Sequence, residues 1–152
     1  MLATFKLGCI IREKEVSVMI DYGIEAGLEI SVHRQTVGAK EAITVEDFAL
    51  GTLLSTASIA NMVSEISVDL LDPTLPEDHF TVGNKFSVTH IAPVITGTSV
   101  TLNIKVVEVE NNIIRLTFVG HDDKGTFCQG THERIVIERN KLFDIAYERA
   151  RE

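Results

Sequence analysis

An α+β fold in which a curled antiparallel sheet wraps one long helix is predicted by three observations. One run of helical character occupies the first half of the chain, four strand-like segments follow it without interruption, and the turns joining the last three are short enough for hairpins. The 152 residues are 45% hydrophobic and 24% charged, a balance suited to one domain that buries roughly 70% of the surface exposed by its unfolded chain. Residues 1–152 are therefore read as a single domain, with 1–22 as an N-terminal extension and 140–152 as a C-terminal helix.

The first strand candidates are Glu15 to Ile20 and Leu28 to Val32, two alternating stretches separated by Gly23 to Gly27. His33 to Ile43 has little periodicity and reads as a loop. Thr44, followed by Glu46 and Asp47, has the chemistry of a helix start, because a side-chain oxygen can accept an orphan N–H and carboxylates suit the positive end of the dipole. The helix is expected to run to Leu71, before Asp72-Pro73. Its apolar positions, from Phe48 and Leu50 to Ile66 and Leu70, spread around much of the circumference, as expected of a central, enclosed helix. Gly51, Ser55 and Ser58 fall at i, i+4 and i+7, a small-residue stripe that reads first as close packing and second as a hydroxyl-lined site.

After the loop from Asp72 to Asp78, which holds Pro73 and Pro76, come four expected strands: Phe80 to Ile91, Thr98 to Val109, Ile113 to Gly120 and Thr126 to Ile137. Glu110-Asn111-Asn112 and Asp122 to Gly125 supply the turns of a meander. Val100, Leu102, Ile104 and Val106 share one face of their strand, the face that should meet the helix. Asn140 to Glu152 closes the chain as an amphipathic helix.

Fourteen basic residues against 22 acidic ones give a net charge of −8, with no long Lys/Arg block, so nucleic acid is a poor partner. Phe48 to Ser64 is too polar to span a membrane, and Phe86 to Ile104 is interrupted by Pro93 and Gly97. The N-terminus lacks the pattern of a signal peptide. Cys9 and Cys128 match no metal or redox motif and suit small hydrophobes in a reducing compartment, so a cytoplasmic location is expected. No nucleotide-binding loop, nucleophile elbow or metalloprotease motif occurs. His33, His79, His90, His121 and His132 lack metal-site spacing, so neither a metal nor a separate cofactor is expected.

Two stretches carry more information: Gly83-Asn-Lys-Phe-Ser-Val-Thr-His90-Ile-Ala-Pro-Val-Ile-Thr-Gly97, and Gly130-Thr-His-Glu-Arg134. Together they resemble two signatures of the fluoroacetyl-CoA thioesterase-like branch of hot-dog proteins, over most of the chain after about Gly23. The resemblance implies the hot-dog fold and hydrolysis of an acyl-CoA thioester to free acid and CoA. It also implies a homodimer joined edge to edge, or a tetramer if dimers pair, with sites at the subunit interface.

Members of that branch place a Thr and a Glu on the central helix and a His on the following strand. His90 takes the histidine position. Lining up Phe48-Ala49 with the family's helix start puts Leu50 at the threonine and Ser58 at the glutamate. Neither can supply a nucleophile or general base as the glutamate does, and no Asp or Glu lies between Asp47 and Glu65. The expected catalytic residues are therefore His90, as base or polarising group, and Ser58, as a hydroxyl that positions water. Gly83, Leu50, Thr52 and Ser55 are expected to line the substrate, and the hydroxyls of Thr52, Ser55, Thr56 and Ser58 are candidates for positioning a water or an acyl group.

The same residues have plainer readings. His90 shares a strand face with Phe86 and Val88, as a core histidine would. Gly83 suits a bulge as well as a backbone N–H aimed at the thioester oxygen. His132 and Arg134 share one face of their strand and read as structural or interfacial. Two other functions stay open: a non-catalytic acyl-CoA or small-ligand binding module, and an enoyl-CoA hydratase built on Asp72 and His79, whose separation differs from the compact hydratase motif.

Overall fold

The computed structural model describes residues 21–36, 41–44 and 49–151. Its elements are β1 (Glu29–Gln35), α1 (Thr56–Leu71), β2 (His79–His90), β3 (Ser99–Glu110), β4 (Ile113–Asp122), β5 (Gly125–Glu138) and α2 (Arg139–Arg151). The sheet has the order β1-β3-β4-β5-β2, antiparallel throughout. α1 thus links the two edge strands by crossing the sheet, while β3, β4 and β5 form the expected meander between them. The expected strand at Glu15 to Ile20 lies outside the described residues.

Alternation builds the core. Leu102 and Ile104 of β3, Leu116 and Phe118 of β4, and Cys128 and Val136 of β5 point to one side, where they meet Ile59, Met62, Val63 and Ile66 of α1. The outer side is largely polar except at one end. There Ile113, Ile135 and Ile137 with Phe80 and Val82 form a second cluster beneath Leu142 and Ile145 of α2.

Three register shifts, between Gly83 and Lys85, between Val106 and Glu108, and at Gly120/His121, each add a residue to one strand and increase the sheet's coiling. Gly120 and Gly130 leave room inside that curl. A Cβ at Gly130 would lie 2.0 Å from the Ser87 carbonyl oxygen and 2.6 Å from the Phe118 ring. Phe118 in turn stacks on Phe86 at 5.3 Å between ring centres.

Two expectations are corrected. β1 runs on through His33, Arg34 and Gln35, which were expected in a loop. Their polarity hid a strand whose outward His33 Nδ1 meets Thr101 Oγ1 at 3.0 Å and whose Arg34 reaches Glu41 and Glu65. α1 begins at Thr56 rather than Thr44, because the backbone just before it, apart from one 3-10 turn at Leu50–Thr52, bonds to neighbouring segments. Ile43 N–H donates to Leu53 O, Leu54 N–H to Val94 O, Ser55 N–H to Glu41 O and Thr96 N–H to Thr52 O. Without Leu50 to Leu54 the helix is amphipathic rather than enclosed, and Asn61, Glu65 and Asp69 are exposed. The proposed stripe of Gly51, Ser55 and Ser58 is therefore not a helix face.

Candidate functional site

The site forms where α1 starts and β2 ends. Ser55 has extended backbone angles and its Oγ accepts the Ser58 N–H at 3.0 Å, so it caps α1 and fixes Thr56 as the first helical residue. His90 is the last residue of β2, paired with Cys128 of β5. The strand stops there because Ile91 and Ala92 both donate their N–H to the Phe127 carbonyl, which the register shift near Gly120 has turned toward them. The cap and the strand end bring Thr56 Oγ1 to 2.9 Å from His90 Nδ1.

His90 Nε2 is buried without a hydrogen-bond partner, the one such side-chain atom among the described residues. A buried polar group left unpaired costs roughly 1–3 kcal/mol. With the proton on Nδ1, the ring donates to Thr56 and Nε2 holds a lone pair able to accept from water. With Thr56 donating to Nδ1, Nε2 carries the proton and can donate to a carbonyl oxygen. Either tautomer leaves Nε2 without a hydrogen-bond partner from the protein. The first-turn N–H groups of α1 and the positive end of its dipole lie beside it.

The other expected site residues are less directly placed. Ser58 is 5% exposed, and its hydroxyl accepts from Ser55 Oγ at 3.0 Å, so it belongs to the cap. Leu50 lies in a 3-10 turn outside α1 and is 40% exposed. Thr52 Oγ1 donates back to Ala49 O at 2.7 Å within the same turn. Gly83 occupies the β2 bulge, opposite Arg134. Asp72 accepts from Thr81 Oγ1, whereas the His79 ring meets the Glu77 carbonyl, so these two are engaged apart. Cys128, beside His90, has its thiol pushed up to about 11 by burial, which keeps it protonated and unreactive near neutrality.

Thr56 was expected only as one of four hydroxyls, with Thr52, Ser55 and Ser58, that could position a water or an acyl group; its place beside His90 follows from a helix that starts 12 residues later than expected, and Ser55 ahead of it was the available cap signal. Among the described residues, no three His, Cys, Asp or Glu side chains converge as a metal site would require, and no helix is long and apolar enough to cross a membrane.

The family model for fluoroacetyl-CoA-specific thioesterases matches residues 33–140. The chain belongs to this family. Solved hot-dog structures agree in fold with this family member. A hot-dog-like protein from Thermanaerovibrio acidaminovorans is 29% identical, with a TM-score of 0.75 over 82% of this chain and 91% of that one. The fluoroacetyl-CoA thioesterase FlK is 21% identical, with a TM-score of 0.73 over 83% and 97% of the two chains. A thioesterase superfamily member from Thermus thermophilus is 19% identical, with a TM-score of 0.72 over 84% and 96%. No curated protein sequence matches the chain significantly.

Proposed function

We propose that this protein binds an acyl-CoA at the α1–β2 junction and hydrolyses its thioester, with His90 as the group that activates water. The observation that carries the reading is the buried, unpaired Nε2 of His90, held in place by Thr56 at 2.9 Å on the other ring nitrogen. A water on Nε2 would lose its proton to the imidazole as it attacked the thioester carbon. The proton would then pass to the departing thiolate, giving free acid and CoA. The dipole at the start of α1 favours negative charge developing on the carbonyl oxygen.

Thr56 takes the role of the family's helix threonine in this reading, in place of Leu50. The eight-residue step that leads from Leu50 to Ser58 leads from Thr56 to Ser64, a half-buried serine. The helix carboxylate is therefore absent in either alignment. β2 is an edge strand of the described sheet, and its free edge is the proposed contact with a second copy.

Thiol release from short, aromatic and long acyl-CoAs provides the test. His90→Ala should lose roughly 10²–10⁴-fold in rate. Thr56→Val should lose about two- to tenfold, the value of one hydrogen bond, and Thr56→Ser should retain most of the activity. Equal rates in wild type and His90→Ala would remove His90 from the mechanism. The missing carboxylate supports a second reading, an acyl-CoA binding module without turnover. Binding of a non-hydrolysable acyl-CoA analogue, with no hydrolysis until Ser64→Glu is introduced, would establish it.

A further inference from the structure

We infer that a clamp on the β2 bulge, formed by Asn84 and Glu133 on one side of the sheet and by His132 on the other, sets the face from which His90 projects, making these three positioning residues for the imidazole. Side chains alternate along a strand. Phe80 and Val82 point outward, into the cluster with Ile135 and Ile137. Uninterrupted alternation would send Phe86, Val88 and His90 outward as well, because all five have even numbers. Instead Phe86 and Val88 pack in the main core and His90 meets α1. The extra residue between the Gly83↔Arg134 and Lys85↔Glu133 pairs is Asn84, and it resets the alternation. Bulges are known to re-aim side chains next to active sites.

Both sides of this bulge are held. Outside, Asn84 Nδ2 donates to Glu133 Oε1 at 2.5 Å, and Glu133 Oε2 accepts from Arg115 Nε at 3.1 Å. Burial alone would raise the Glu133 carboxyl, but the bonds from Asn84 and Arg115 and the charges of Lys85 and Arg115 hold it below its ordinary value, so it stays an acceptor. Inside, His132 has one tautomer open to it. Arg134 Nη1 can only donate, and it lies 3.1 Å from His132 Nε2, so His132 carries its proton on Nδ1 and donates it to the Lys85 carbonyl at 3.0 Å. Arg134 is itself fixed by Thr81, through Nε to Oγ1 and Nη2 to the carbonyl oxygen, each at 2.8 Å. The two sequence signatures are thus two halves of one device: Gly130 to Arg134 holds the bulge from which Phe86 to His90 takes its direction.

A swap of the Asn84–Glu133 pair tests this. Asn84→Asp sets two carboxylates against each other and opens the clamp. Adding Glu133→Gln restores one bond with donor and acceptor exchanged, and leaves an oxygen for Arg115. The readout is the His90 imidazole in nitrogen-resolved NMR, assigned by its loss in His90→Gln, together with kcat and KM for thioester hydrolysis. In Asn84→Asp the His90 signal should move toward that of Thr56→Val, and kcat should fall roughly ten- to a hundredfold with KM little changed, the effect of a misplaced group. The double variant should recover both. The kinetic half rests on the hydrolase reading, whereas the spectroscopic half does not, so a wild type without turnover leaves the NMR comparison to decide. A folded Asn84→Asp protein with an unmoved His90 signal would overturn the inference. If that variant does not fold, Asn84→Ala is judged by the same two readouts.

Discussion

Position 58 illustrates how one side chain's surroundings outweigh its alignment. Ser58 sits in the first turn of α1, 5% exposed, with its hydroxyl and its N–H both bonded to Ser55 Oγ. A carboxylate placed there would keep the backbone cap and could still accept from Ser55 Oγ, but it would enter a site with little room or water, a cost of about 2–3 kcal/mol by comparison with other buried polar groups. Ser58→Glu is therefore expected to lower Tm by roughly 5–10 °C without raising thioester hydrolysis. Ser64→Glu, at a half-buried position, should be better tolerated. Thermal melts with thiol-release rates for both variants check this; activity gained at position 58 and not at 64 would restore the original alignment. The histidine of this site was legible in the sequence because it sits between two glycines in a distinctive stretch. Its pairing with Thr56, one of four candidate hydroxyls, was not, because their contact spans 34 residues of chain and depends on where a helix begins.

Hydrogen-bond partners decide that beginning, and periodicity does not record them. Phe48 to Leu54 is apolar enough to extend a helical pattern, yet Leu53 and Leu54 form bridges with Ile95 and Ala42, and the Ser55 N–H is taken by the Glu41 carbonyl. Strands β3, β4 and β5 were legible to within about two residues because their alternation and turns are local features. β1 was underestimated where it turns polar, and the bulges left no mark beyond a glycine. Gly130 shows how strict the curled sheet is: the nearest atom a Cβ would meet there is backbone, the Ser87 carbonyl oxygen, which cannot swing aside. Gly130→Ala should force β2 and β5 apart and cost about 1–3 kcal/mol, the range for overpacking. Gly83→Ala, whose Cβ would meet only side chains, His132 Cε1 at 3.4 Å and Arg134 Nη1 at 3.8 Å, should cost less. Urea titrations of the two variants compare them directly, and equal midpoints would show that the sheet yields at Gly130.

Across the whole molecule, the buried polar chain from Asp72 through Thr81 and Arg134 to His132 ties the end of α1 to β2 and β5, and it links stability to pH. Burial is the main cause that lowers the His132 imidazole below its ordinary value near 6.5, and the Arg134 charge adds to it, against the opposing bond to Lys85 O. The folded protein therefore releases this proton more readily than the unfolded chain. As pH falls below about 6.5 the unfolded chain binds the proton first, so stability declines until pH reaches the lowered folded-state value. Glu133 contributes in the same direction at lower pH: its carboxyl is held below 4.5 in the fold, so its share is present above that value and is lost in more acid solution. His132→Asn keeps an N–H for the Lys85 carbonyl but cannot titrate. Its urea midpoint should lie below that of wild type at pH 8 and change less between pH 6.5 and 5. Parallel curves for the two proteins would mean that His132 does not set the acid limb, and that the Arg134 network tolerates the imidazolium through rearrangements at Asp72 and Thr81.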